Sequence, residues 1–457
     1  CADLRRGARV MRAIYGHSRR AQWRSSRARL VAAALFVAST TSVALGAWLG
    51  AAHRGAGLRD VASFERRLDA GADKSAFAVS AYEDVIVARG ARPSAMLTAN
   101  DLTTLPDAAI LRLSDPPAMI PTLAERSPSA LLLGRLDFAW VLALLLPLAA
   151  IALAYDAVSR DRERGTLAML LGPARSSGPL LLARTAVVTE VLLVGVLPGI
   201  VASAFVDVVA PAVVAAYAFV VAAVVVAVSA RSERSAVALA TSLGLWLTFG
   251  VAVPLSVSAV VRSSYPEPDP RARLAGEKGA DAVFTRATEG IVAAGVERDA
   301  ALDPETAEDG EMSQLRYDFL LMQERLRRKR GARFEGERVL AQRAEAIELA
   351  AWLSPTSLVA GVLADVSGTR PWERRTFAKD AAAYRGEVER FVRAEILAGR
   401  RTLDDPTRFP RLARVPPTRR TPALVAVFLF LAGGIGVWFQ ATRRLDRGGF
   451  APTKEDA

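Results

Sequence analysis

Residues 30–50 contain no charged side chain, and this constrains the fold more than any other feature of the chain. A hydrocarbon layer about 30 Å thick is crossed by about 20 apolar residues of helix, each rising about 1.5 Å. Residues 30–50 meet that length, and residues 138–155 come close to it, led in by Leu136 and Asp137. The stretch 180–261 is apolar apart from Arg184, Glu190 and two interruptions at 207–211 and 231–234. Those interruptions divide it into three helices at 180–206, 212–230 and 235–261. A last segment, 421–441, is closed by Arg443 and Arg444. Hydrophobic residues make up 52% of the chain, and their clustering into blocks predicts an all-α polytopic membrane protein with about six transmembrane helices.

The arginines of the short connections set the expected orientation, because basic flanks stay on the cytoplasmic side. Arg19, Arg20, Arg24, Arg27 and Arg29 precede the first span, and Arg443, Arg444 and Arg447 follow the last. Both termini are therefore expected in the cytoplasm, as are the 156–179 loop and the 231–234 turn. The insertions 51–135 and 262–420 are then extracytoplasmic; long domains translocate largely regardless of charge. An Ala- and Arg-rich composition suggests a bacterium and its inner membrane.

The formal net charge of +12 does not indicate nucleic acid, since the basic residues lie at membrane flanks or alternate with acids in the insertions. One cysteine, Cys1, and two histidines, His17 and His53, exclude a disulfide framework and argue against a His or Cys metal site. The arginines that follow Cys1 argue against a lipidated terminus, and Met11 reads as a better start. No Gly-x-x-x-x-Gly-Lys-Ser/Thr loop occurs; Gly276-Glu-Lys-Gly279 has neither the spacing nor the hydroxyl. With no nucleophile elbow and no His-Glu-x-x-His either, the chain is not expected to be an enzyme, to bind ATP or to hold a metal.

The insertions are expected to be two mainly helical domains. Met312, Leu315, Phe319, Met322 and Leu326 follow a three-four alternation along one helix face, and Phe377, Ala381, Tyr384, Val388 and Phe391 repeat it. The simplest reading is that these stripes form a domain core. Between them, Ser354-Pro355 restarts a helix, and Trp352 suits headgroup level at the outer membrane surface. Residues 51–135 are less legible, with partial helical periodicity at 61–68 and 75–88.

The loop after the second span reads Arg160-Asp-Arg162-Glu163-Arg-Gly165-Thr166-Leu167-Ala-Met-Leu170-Leu171-Gly-Pro173. It resembles the first cytoplasmic loop of the ABC-2 type permease superfamily, approximately Arg-Glu-x-Gly-Thr-Leu-x-x-Leu-Leu-x-x-Pro. Arg162, Glu163, Gly165, Thr166, Leu167, Leu170 and Leu171 match without gaps, and Pro173 comes one residue early. Leu133-Gly-Arg-Leu-Asp137, Pro147, Ser354-Pro355 and the Phe377…Tyr384 helix are similar to a subgroup of uncharacterised permeases with two large extracytoplasmic insertions. The resemblance implies a permease that exports or extracts an amphipathic substrate. It implies that Arg160, Arg162 and Glu163 contact an ATP-hydrolysing subunit beside a sharp Gly165-Thr166 turn. ATP and magnesium would belong to that subunit, with none in this chain. The other implied partners are a second permease, identical or a close paralogue, membrane lipid and a possible periplasmic partner. The competing reading is a non-transporting scaffold or sensor that holds a periplasmic partner.

Two groups of charges stand out in or beside the spans. Counted from residue 180, Glu190 falls near mid-bilayer, where an ionised carboxylate costs at least about 2.5 kcal/mol unless paired. Arg184 or a polar group on a neighbouring helix is its expected partner. Arg135 and Asp137 are expected to pair at the outer end of the second span. Pro147, Pro198 and Pro254 lie within spans and should kink or unwind them.

Overall fold

The computed structural model describes residues 2–70, 74–90, 92–99, 105–106, 108–113, 115–119, 136–171, 177–266, 269, 271, 288–403, 405–412 and 420–448. Six helices are long and apolar enough to cross a membrane: Ser26–Ala70, Phe138–Glu163, Gly178–Gly195, Val209–Arg231, Ser235–Ser264 and Thr421–Asp446. They are called here the first to sixth spans. An all-α polytopic membrane fold is what the chain adopts. One end of the bundle carries both termini, and the other carries both insertions.

The first span does not stop where polar and charged side chains return at His53 and Arg54. Its helix continues unbroken from Ser26 to Ala70, so its outer part is a stalk that enters the inserted domain. Before it, residues 2–24 form a further helix, Ala2–Arg24, which a bend at Ser25 sets off from the span.

Pro147, Pro198 and Pro254 each sit beside an interruption of regular helix. The second span opens at Asp137, whose carboxylate accepts from the Trp140 N–H at 2.8 Å. It then passes through a π turn, Val141–Leu145, just before Pro147. The fifth span has the same device, a π turn at Thr248–Ala252 just before Pro254. The third span breaks at Val196 and resumes as Leu197–Ala204 with Pro198 in its first turn. A proline ring clashes with the carbonyl four residues back, and a wider turn relieves the clash.

The bundle core joins buried side chains such as Leu35, Leu142, Leu146, Val191, Tyr217, Val226 and Phe430, and the fifth span packs against it through the partly buried Leu239 and Trp246. The fourth and sixth spans approach closely at Gly434, where a Cβ would lie 2.7 Å from the Phe219 ring. At the insertion end, Arg420 donates to Asp207 at 2.7 Å, tying the start of the sixth span to the turn between the third and fourth.

The two insertions, far apart in sequence, share one core. Phe64, Phe77, Val85, Val87 and Leu111 of the first pack with Phe319, Phe377, Tyr384 and Val392 of the second. Both periodic stripes read from the sequence reach this core: Met312 and Phe319 on the Gly310–Ala350 helix, and Phe377, Ala381, Tyr384 and Val388 on the Pro371–Leu397 helix, belong to it, and Leu326 further along the first helix is also buried. The first insertion adds a small antiparallel sheet of order β1-β2-β3, with β1 at Val85–Ala88, β2 at Ala108–Arg112 and β3 at Asp115–Met119. Helix at 75–88 holds only for Ala76–Tyr82. Beyond it the β-branched run Val85-Ile86-Val87 prefers the pleat, burying Val85 and Val87 and leaving Ile86 partly open. Pro116 and Pro117 fall on the edge strand, where a missing N–H is tolerated.

Arg385, 1% exposed, fastens the sheet to the second insertion by donating to the carbonyls of Arg112 at 3.1 Å and Leu113 at 2.8 Å. Arg385→Ala leaves those carbonyls without their charged donor, and a loss of about 3 kcal/mol is expected. Limited proteolysis of the inserted domain reads it: cleavage within 74–119 becomes faster, while the spans stay protected. Asp299 holds Arg393 by two bonds of 2.6 and 2.8 Å. The Arg393 hydrogen bond keeps its carboxyl below the usual range, so the stability it contributes is present at neutral pH and disappears as pH falls through the folded-state value.

The segment between the two long helices of the second insertion packs against the spans. The apolar helix Pro355–Ser367 places Leu358, Val359, Val362, Leu363 and Val366 in the core of the bundle rather than in the inserted one. Its cap residue Ser354 donates to the carbonyl of Phe249 in the fifth span. Phe249 lies about 21 Å along that span from Ser235, at about 1.5 Å per residue. Leu349, Trp352 and Leu353 beside it are exposed. The helix tolerates this place in the bundle because its side chains are apolar and its capping hydroxyl finds a carbonyl instead of water.

Candidate coupling surface

The second span unwinds at Tyr155, and the chain makes two short helices, Ser159–Glu163 and Leu167–Leu171. Between them Gly165 adopts φ +69°, a left-handed conformation open to glycine at little cost. The Gly165 N–H donates to Arg162 O at 3.0 Å, and the Thr166 N–H donates to Asp161 O at 2.9 Å, which closes the turn.

Charged side chains tie this ledge to the rest of the bundle. Asp156 accepts from Arg27 of the first span at 2.9 Å and pairs with Arg160 at 3.6 Å. Asp161 pairs with Arg184 of the third span. Arg162 donates to the carbonyls of Ala230 at 2.9 Å and Ser232 at 2.6 Å, where the fourth span ends and its last carbonyls lack helical partners. Glu163 accepts from the Ser235 N–H at 2.6 Å and its hydroxyl at 3.0 Å, and so serves the orphan donors that open the fifth span. Arg162 and Glu163 together thus clamp the turn between the fourth and fifth spans from both sides. Hydroxyls of Ser159, Ser229 and Ser235 continue the network behind them. Further along, the Ser177 N–H donates to Asp446 at 2.8 Å, engaging the end of the sixth span.

The opposite side of the ledge is open. Leu171 is buried, Leu167 and Leu170 are partly buried, and Ala168 and Met169 are exposed, Met169 by 78%. Glu163, Arg164 and Gly165 line the same open edge. Pro173 lies outside the described residues.

Glu190 and Arg184 do not form one polar site. The Glu190 carboxylate accepts from Tyr15 Oη at 2.7 Å, Arg19 Nε at 2.7 Å and Trp23 Nε1 at 3.4 Å, all on one face of the Ala2–Arg24 helix, while Arg184 is committed to Asp161. The partner of Glu190 is thus a polar group on a neighbouring helix, the second of the two expected alternatives. The same helix reaches the Leu153 carbonyl through Gln22, one turn before Asp156, and it exposes Arg12, Arg19, Arg20 and Arg24. The four-residue spacing of Tyr15, Arg19 and Trp23 was the available signal. In Glu190→Gln the charge-assisted bonds to Arg19 are lost; trypsin should then cut the Ala2–Arg24 helix faster in the intact protein. Asp137 caps the second span as described, and its expected partner Arg135 lies outside the described residues.

Comparison with known families gives two matches. The model of the ABC-2 family transporter proteins matches residues 22–274, more than half of the chain. A domain of unknown function, DUF3526, matches residues 304–411, the greater part of the second insertion. No curated protein matches, and no solved structure matches. With six spans and a match that runs from the N-terminal helix through the fifth span, the chain belongs to the ABC-2 transporter family as a membrane-spanning permease component.

Proposed function

We propose that the chain is the permease of a bacterial inner-membrane exporter, that both termini are cytoplasmic, and that a separate ATPase subunit docks on the ledge at 156–171. The observation that carries this is the two-sided construction of the ledge. One side is bonded to the first, third, fourth and fifth spans, and the other presents Met169, Ala168 and the Gly165 turn, all exposed among the described residues. A partner that pushes on such a ledge moves several spans together. The resemblance-based assignment of Glu163 as an ATPase contact is replaced here by a positioning role, because both of its oxygens are engaged by Ser235.

A second permease completes the path. The most apolar part of the fifth span is 11% buried, against 67% for the fourth. It carries Thr241, Ser242, Gly244, Thr248, Ser256 and Ser258, small and hydroxylated residues of the kind that pack against another helix rather than against lipid. An amphipathic cargo, taken from the inner leaflet, would leave between the two copies. The ledge is tested by extracting the tagged protein from its native host in mild detergent. An ATPase subunit is expected to co-purify with the wild type and to be lost in Met169→Asp, which puts a charge at the centre of the open apolar face. Retention of the ATPase by that variant would place the docking surface elsewhere.

A further inference from the structure

The π turn of the fifth span leaves a specific carbonyl in need of a donor. The Val253 N–H donates to Thr248 O, five residues back. The next bond in that register runs from residue 254 to Phe249 O, and Pro254 has no N–H to make it. Two hydroxyls from the second insertion occupy the place: Ser354 Oγ lies 2.5 Å and Thr356 Oγ1 3.1 Å from Phe249 O, and the two are 2.7 Å from each other. Ser354 is 1% and Thr356 7% exposed, so water does not substitute for them. The helix they begin, Pro355–Ser367, is wedged in the bundle core beside Phe138 and Leu142, so the hydroxyls are held on a fixed element.

We propose that Ser354 and Thr356 form a latch on the fifth span, and that holding or releasing the bend at Phe249–Pro254 is the function of the inserted unit of otherwise unknown role. The fifth span suits such control. It is the least buried of the six, and Glu163 grips its first residue, Ser235, at the opposite end. Force applied at the ledge arrives at Ser235 and is resisted at Phe249, so the span works as a lever between the loop and the inserted domain. With the latch made, the bend is fixed. With it broken, the π turn loses the donors that offset its proline and the outer part of the span is free to swing. The latch depends on the permease reading only for what pulls on it.

The bend can be read without any partner or cargo. The single cysteine, Cys1, is replaced by serine, and spin labels are attached at Val237→Cys and Val260→Cys, both exposed and on either side of the π turn. Labelled chains are diluted into unlabelled ones in lipid nanodiscs, so that only the distance within one chain is seen. A single narrow distribution is expected for the parent. Ser354→Ala with Thr356→Val should broaden it and shift its mean, and Thr356→Val alone, which leaves the Ser354 helix cap intact, should shift it less in the same direction. In a Pro254→Ala background, where residue 254 supplies its own N–H to Phe249 O, the double substitution should lose most of its effect. An unchanged distribution in the double variant, or an equal effect with and without Pro254, would overturn the latch. Failure to find an ATPase would count against the permease reading and leave this result standing.

Discussion

Gly165→Pro is expected to abolish capture of the ATPase subunit while leaving the spans folded. Proline fixes φ near −65° and has no N–H, whereas Gly165 sits at φ +69° and donates to Arg162 O. The turn cannot form, at a local cost of about 3 kcal/mol or more, and the Leu167–Leu171 helix is no longer presented beside Glu163. Gly165→Ala is the graded control. Among the described residues, none beyond its chain neighbours has an atom within 4 Å of a Cβ there, so the left-handed backbone penalises it, by about 1–2 kcal/mol, and partial capture should remain. The check is the ratio of ATPase to permease after co-purification, with gel filtration in detergent confirming that each variant is intact.

Glu163→Ala is expected to give the opposite outcome, a complex that assembles and does not transmit. The substitution removes the acceptor that serves the Ser235 N–H and hydroxyl at the start of the fifth span. It leaves Met169 and the Gly165 turn in place. The ATPase should therefore still co-purify. The distance between labels at Val237 and Val260, expected to change when ATP is trapped on the complex, should then respond weakly or not at all. Arg162→Ala, which frees the carbonyls of Ala230 and Ser232 at the end of the fourth span, loosens the same turn from its other side and should act in the same direction.

The membrane architecture was legible because hydrocarbon thickness sets a length that no soluble segment here imitates. The buried stripes at Phe319 and Phe377 were legible because helical period alone decides which side chains share a face. What stayed hidden depends on contacts between distant segments. No local pattern announces that Phe77 and Phe319 share a core, or that Arg385 closes a sheet formed some 270 residues earlier. The strand at Val85–Ala88 was outweighed by the helical spacing of the residues just before it. In the coupling segment, the resemblance implies that Glu163 contacts the ATPase, whereas its bond to Ser235 is beyond any local pattern, since Ser235 lies two spans further along the chain. The partners of Glu190 stay hidden for the same reason: Tyr15 and Arg19 lie some 170 residues earlier in the chain. The latch was half visible: Ser354-Pro355 reads as a helix start, and Pro254 as a kink, but only the fold brings one to the other.

The central claim is that an ATP-hydrolysing subunit works through the ledge at 156–171, and co-purification from the native host tests it most directly. The account predicts that tagged wild-type protein brings down an ATPase subunit, that Met169→Asp and Gly165→Pro lose it, and that Glu163→Ala keeps it. A well-folded wild-type preparation that recovers no such subunit would contradict the account and favour a scaffold or sensor that uses the inserted domain to hold a partner.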